Sequence, residues 1–284
     1  MVTLLTILIS KKKTRFYGPP GQILLRRETE IVQYKLAFGT SPGEEDIQEF
    51  TGVGLVQRAP STRLNTTELA TAQRYYASVI AINKLGLPSE KVSSDGVLID
   101  ITPPSFTFST TDGTDLGQDV RYSRVQSLSC SWRCDDEESK LKLVEVSFGF
   151  QPGSSDVKQF TTVNASSNQY EYQASLKSGI IYFATVRCTN NAGLQKTSTS
   201  NGVIYDDTPP QGLADDGDYQ NSTNKLRVDW KFVDAESGIH MYHIIILKSD
   251  GLLQEGPFEF PGSISSETLF LESTLYAGKK YFTT

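Results

Sequence analysis

The sequence predicts an all-β chain built of tandem β-sandwiches. Three observations lead there. Landmark residues return about every hundred positions, apolar residues alternate with polar ones over short runs, and clusters of Gly, Pro, Asn and Ser separate those runs. Composition agrees. Of 284 residues, 13 are Tyr and 14 are Phe, whereas Met and His occur twice each. Rings and β-branched side chains suit a pleated, half-buried surface better than a helix. A hydrophobic content of 38% with 21% charged residues is that of a globular chain.

The repeat carries most of this reading. Leu69, Tyr75, Val79, Ala81, Asn83 and Gly86 match Leu176, Tyr182, Val186, Cys188, Asn190 and Gly193 in order and spacing. A third copy begins with Leu275 and Tyr281, so the Tyr-to-Tyr spacings are 107 and 99 residues. Asp-Gly-Val-Leu-Ile-Asp-Ile-Thr-Pro-Pro at 95–104 matches Asn-Gly-Val-Ile-Tyr-Asp-Asp-Thr-Pro-Pro at 201–210. The elements around Trp132, Asp136, Glu138 and Ser139 match those around Trp230, Asp234, Glu236 and Ser237. The Pro42-Gly43 element matches Pro152-Gly153, each followed by an Asp three residues on.

Strand faces follow from parity, because residues two apart in a strand lie on one side. Leu128, Cys130, Trp132 and Cys134 share a parity, as do Leu226, Val228, Trp230 and Phe232, and Tyr182, Ala184, Val186 and Cys188. These three sets are expected in the core. No segment has a sustained apolar period of 3.6, so few helices are expected.

These residues resemble those of fibronectin type III repeats, as found in large extracellular proteins of invertebrates. The resemblance spans about residues 28–284 and implies immunoglobulin-like sandwiches. Trp132 and Trp230 then stand at the core position of an early strand. Tyr75, Tyr182 and Tyr281 stand as corner tyrosines whose hydroxyls bond nearby backbone. The register divides the chain into a segment without a counterpart (1–27), a partial repeat lacking its first two strands (28–104), a complete repeat (105–210), and a repeat cut within its sixth strand (211–284). The partial repeats should be the less stable, since missing strands leave apolar faces and backbone groups uncovered. The chain thus reads as a fragment of a larger protein.

All three cysteines, Cys130, Cys134 and Cys188, lie in the middle repeat. The strand order implied by the resemblance favours a Cys134–Cys188 disulfide over Cys130–Cys188, with three buried thiols as the other reading. Asn65, Asn164 and Asn221 begin N-x-Ser/Thr triplets in polar stretches and are candidate glycosylation sites. Together these imply a glycoprotein of extracellular location, secreted or part of a membrane-anchored ectodomain.

Other chemistries find little support. A net charge of −6 without a basic stripe opposes nucleic acid binding. The apolar run 1–10 is too short to span a bilayer, and Lys11–Lys13 follow it rather than precede it, unlike a signal peptide. No other run is long enough to be a membrane span. His240 and His243 are three apart in a strand-like stretch and would face opposite sides, which opposes joint metal ligation. Asp206, Asp207, Asp215, Asp216 and Asp218 surround the second boundary; calcium is one reading of this cluster, but its spacing fits no EF-hand loop and a solvated acidic linker is preferred. Asp136, Glu138, Asp234 and Glu236 read as turn and capping residues. No nucleophile elbow, phosphate loop or nucleotide-binding glycine motif occurs. The expectation is a non-catalytic module for adhesion, matrix spacing or protein–protein interaction, without cofactor or metal, its partners extracellular proteins or glycans. A carbohydrate-binding or enzyme-accessory module is the alternative, and a pair of exposed aromatics on one face would favour it.

Overall fold

The computed structural model describes residues 30–62 and 70–284, and among them every regular element is a β-strand. The chain is all-β, in several mainly antiparallel sheets. Two compact units are distinguished. One holds the described part of Met1–Ser105 with Cys134–Leu143 and Cys188–Lys196; the other holds Phe106–Arg133, Val144–Arg187 and Thr197–Thr284.

The first strands are β1 (Ile31–Gly39), β2 (Gln48–Gly54), β3 (Arg74–Asn83), β4 (Val92–Ser93) and β5 (Val97–Leu98). They form one sheet in the order β2-β1-β3-β4, with β5 also on β3. Leu36 pairs with Val79 and Phe38 with Ala77, so the apolar parity of both strands meets on one face. Leu36, Phe38, Ala59 and Ala77 make its core, with Ile47, Val53 and Val79 against them.

Next come β6 (Ser105–Asp112), β7 (Tyr122–Ser123), β8 (Ser127–Asp135), β9 (Leu141–Gly149), β10 (Lys158–Val163), β11 (Gln169–Gln173), β12 (Ile181–Asn190), β13 (Gln195–Thr199) and β14 (Val203–Tyr205). They build a three-stranded sheet, β11-β8-β6, and a larger one, β10-β9-β12-β14-β7, with β13 also on β12. Of the expected parity sets, Leu128, Cys130 and Trp132 from β8, and Tyr182, Ala184, Val186 and Cys188 from β12, are buried, while Cys134 at the end of β8 is half-buried. Side chains of this size contribute about 1.5–3 kcal/mol each when removed from water. The chain changes sheets between β6 and β7, and β7 lies parallel to β14, Tyr122 opposite Ile204.

The last group is β15 (Gln211–Asp215), β16 (Lys225–Val233), β17 (Met241–Lys248), β18 (Leu253–Pro261), β19 (Ser266–Phe270) and β20 (Tyr281–Thr283). Two three-stranded sheets result, β15-β16-β19 and β18-β17-β20. Trp230 packs with Leu226, Val228, Ile244, Ile246 and Leu269. Its ring lies 5.4 Å from Tyr242 and 5.7 Å from Phe260, and its indole N–H donates to the Ile264 carbonyl at 2.9 Å. That bond satisfies the polar edge of an otherwise apolar side chain.

Two hairpins repeat in detail. After β1 and after β9, a Pro-Gly turn with Gly43 and Gly153 at positive φ curls back, and its glycine N–H donates to Ser78 Oγ and Thr185 Oγ1 respectively, both at 3.1 Å. Asp46 accepts the Thr40 N–H at 2.9 Å and Asp156 the Phe150 N–H at 3.1 Å. Gly39 and Gly149 end the two strands against these carboxylates, where a Cβ would collide. The matched Phe38-Gly39 and Phe148-Gly149 thus belong to the repeat as well.

Candidate functional site

Each Thr-Pro-Pro segment is preceded by an aspartate that meets the Asp-x-Glu-Ser loop following it in sequence. Asp100, Asp136 and Glu138 form one group, and Asp206, Asp234 and Glu236 another; within each, carboxylate oxygens lie within 4.8 Å of one another. Local turns position them. Asp100 Oδ1 accepts the N–H and O–H of Thr102, and Asp206 Oδ1 accepts those of Thr208. Asp136 Oδ1 accepts the N–H groups of Ser139 and Lys140, at 2.8 and 3.1 Å, and Asp234 Oδ1 those of Ser237 and Gly238 at the same distances. Lys140 and Gly238 both adopt positive φ to close the loop.

A serine then joins the two turns. The Ser139 hydroxyl donates to Asp100 Oδ2 at 2.5 Å, and that of Ser237 donates to Asp206. In the first group the buried Asn190 adds its amide nitrogen, 2.8 Å from Asp100 Oδ2, 3.0 Å from Asp136 Oδ2 and 3.0 Å from the Thr102 carbonyl oxygen. Its own Oδ1 accepts the Leu194 N–H at 2.8 Å. Burial pushes the Asp136 carboxyl up, but the bonds from Asn190 and Ser139 outweigh it and hold the group below the usual range. Asp206 is held down to about 2, first by Ser237 and then by the Thr208 backbone and side chain. Grouped carboxylate oxygens are the donors a hard divalent cation takes. In the first group, Asn190 and Ser139 already lie between them and supply the donors. The arrangement can therefore lock two turns together through hydrogen bonds from neutral donors to carboxylate oxygens.

The sequence reading of these acids needs adjustment. Asp136 and Asp234 do serve their turns, but each also reaches the aspartate before Thr-Pro-Pro. Asp206 groups with Asp234 and Glu236, while its sequence neighbours act elsewhere. Asp207 accepts the Tyr205 hydroxyl, Asp215 the Gly217 N–H, and Asp216 the N–H and O–H of Thr283. The matched Asp-x-Thr-Pro-Pro and Asp-x-Glu-Ser motifs carry the signal for the grouping, but no local rule pairs one with the other.

The remaining candidates are placed as follows. Cys134 and Cys188 form a disulfide, and Cys130 is a buried free thiol. Trp132, Trp230, Tyr75 and Tyr182 are buried and Tyr281 is partly so. The hydroxyls of Tyr75, Tyr182 and Tyr281 accept the backbone N–H five residues upstream, from Ala70, Lys177 and Tyr276, at 3.0, 2.9 and 3.0 Å. Asn164 and Asn221 are exposed, and Asn164 accepts the Ser166 N–H and O–H; Asn65 lies outside the described residues. His240 precedes β17, and His243 lies on it, 4.0 Å from Glu259 and 3.1 Å from the Met241 sulfur. The exposed rings of Phe108 and Phe270 lie under Arg133 and Lys225.

Among the described residues no helix is long and apolar enough to cross a membrane. No family model matches the chain, and no curated protein matches it. Among solved structures the chain is similar to dimeric latent PorU from Porphyromonas gingivalis, with 10% identity and a TM-score of 0.26 over 90% of this chain. The chain spans 28% of the length of that structure's chain, and a likeness at this level carries no conclusion about fold family or activity.

Proposed function

We propose that this chain is a non-catalytic module of an extracellular protein, made of immunoglobulin-like repeats of the fibronectin type III kind. Its work is geometric: adhesion, spacing or presentation of surfaces to other extracellular proteins or glycans. The observation that carries the reading is the recurrence of one hydrogen-bonded device after both matched segments. Ser139 on Asp100 and Ser237 on Asp206 tie each proline linker to the loop that follows. Proline already limits the linker's backbone, and the clamp removes more of its freedom. A chain stiffened at regular intervals suits a spacer. The Cys134–Cys188 disulfide supports an oxidising compartment, where such bonds persist.

Small-angle X-ray scattering on the full chain tests this. The wild type should give a narrow distance distribution, and Asp100→Ala combined with Asp206→Ala should broaden it. Identical profiles for the two chains would sink the spacer reading. Expression through a secretory pathway should give a mass decrease on enzymatic removal of N-glycans.

A further inference from the structure

We propose that Asn201 is a modification site that the fold keeps closed: when the break between β13 and β14 opens, Asn201 cyclises onto Gly202 and loses its amide, and the carboxylate left behind opposes re-closing. The sequence holds one Asn-Gly pair, at 201–202. A glycine presents its backbone nitrogen with no side chain to shield it, so an asparagine before glycine is the one most open to this reaction. The Gly202 nitrogen attacks Asn201 Cγ and gives up its proton to solvent base. The bond from Cγ to the amide nitrogen breaks, ammonia leaves, and a cyclic imide remains. Water then opens the imide at either carbonyl, giving aspartate or the isomer whose main chain runs through the side chain. Nothing is oxidised or reduced, and water is the only co-reactant.

The fold both requires the glycine and restrains it. Gly202 is buried at φ 98°, and a Cβ on it would lie 2.7 Å from Ile181 Cγ2 and 2.7 Å from Phe183 Cε1. A bulkier residue, which would slow the reaction, is therefore shut out by conformation and by packing. Two carboxyl groups engage the reacting groups separately instead. The Gly202 N–H donates at 3.0 Å to Oδ2 of the buried Asp112, which ends β6. The Asn201 amide donates to Asp119 Oδ2 at 2.8 Å, and Asp119 Oδ1 accepts the Asp112 N–H at 3.2 Å. Just before them, Ser200 is tied to β12, its N–H donating to the Ala184 carbonyl and its hydroxyl oxygen accepting the Ala184 N–H, both at 2.9 Å. A buried, bonded N–H is withheld from solvent base until the segment opens locally.

The product does not fit the closed form. A carboxylate at position 201 would face Asp119 where the amide now donates, and two carboxylates in contact repel. The isomer lengthens the main chain directly before Gly202 and so displaces the N–H that Asp112 holds. The first repeat supplies the contrast. Its matched pair is Asp95-Gly96, and there the Arg74 guanidinium donates to the carbonyls of Asp95 and Gly96, at 3.3 and 2.8 Å. The acid stands beside a cation, and the amide beside a carboxylate.

The test incubates the full chain at mildly alkaline pH, in native buffer and in urea, and reads deamidation at Asn201 by peptide mapping. The folded chain should react at least about tenfold more slowly than the chain in urea, because its reaction waits on local opening. Asp119→Ala should raise the folded rate by about two- to tenfold, the worth of one exposed hydrogen bond, and leave the rate in urea unchanged. Equal wild-type rates in the two solvents, or a folded rate unmoved by Asp119→Ala, would overturn the proposal. Asn201→Asp imitates the product and should lower the folding equilibrium constant by about tenfold, as repulsion replaces a hydrogen bond. Adding Asp119→Asn restores a donor and an acceptor with their roles exchanged, and should return most of that loss. If Asp119→Ala does not fold, the wild-type rates and this pair decide. Slow folded reaction with loss and rescue supports the site; no loss in Asn201→Asp, or a loss that Asp119→Asn leaves in place, refutes it.

Discussion

The Lys177 N–H donates to the Tyr182 hydroxyl at 2.9 Å, and the same bond recurs from Ala70 to Tyr75 and from Tyr276 to Tyr281. A ring anchored in the core thus reaches back to pin the turn that precedes its own strand. Tyr182→Phe keeps the ring and removes only the acceptor. We expect a loss of about 1–2 kcal/mol, because the Lys177 N–H loses its partner. Tyr281→Phe should cost less, since the Tyr276 amide is exposed to water. Urea midpoints of the two variants, compared at constant slope, check the difference.

The disulfide joins Cys134 and Cys188, 54 residues apart in sequence. Closing a loop of that length restricts the unfolded chain by an amount worth roughly 4 kcal/mol at most. Reduction should therefore lower the urea midpoint clearly. Cys130 should remain unmodified by iodoacetamide in the folded chain, being fully buried with its thiol pushed up above the usual range by burial and by Asp112. Mass spectrometry before and after unfolding reads out both points.

Acid should weaken the clamps. The folded Asp136 and Asp206 carboxyls lie below their ordinary values, so their contribution is present above about pH 4 and is lost as pH falls through the folded values, about 2 for Asp206. Asp206→Asn should flatten part of the fall in melting temperature between pH 5 and pH 2. An unchanged acid limb in that variant would show that Asp206 carries no linked stability.

Backbone conformation offers a gain. Ala72 has φ 60° at the position three residues before Tyr75, where Gly179 and Gly278 stand before Tyr182 and Tyr281. Lys140 likewise has φ 68° where Gly238 stands in the matched loop. Residues with a Cβ adopt this region at a cost of about 1–2 kcal/mol, part of which glycine returns as entropy in the unfolded chain. Ala72→Gly and Lys140→Gly should each raise stability by about 0.5–1 kcal/mol, and Gly179→Ala should lower it. Thermal melts of the three variants settle the signs.

Much of the architecture could be read in advance, because it rests on short-range pattern. Alternation along 128–134, 182–188 and 226–232 assigned core faces directly, since a strand's geometry allows no other sorting of neighbours. The acidic groups were only half legible. Asp136 with Ser139 is a local turn and shows in the motif, but Asp100 and Asn190 lie 36 and 54 residues away from Asp136, and no local rule joins them. Asp112 gave no signal at all, as an aspartate closing a strand looks like any surface residue until the chain around it buries it.

By itself, then, the order of side chains determined that the chain forms strands, where they turn, and which of their faces are apolar. Burial, and the company each polar group keeps, were decided only by the tertiary structure. Alternation and turn chemistry act between neighbours, whereas the energy of a carboxylate depends on every donor, charge and water that the folded chain brings around it.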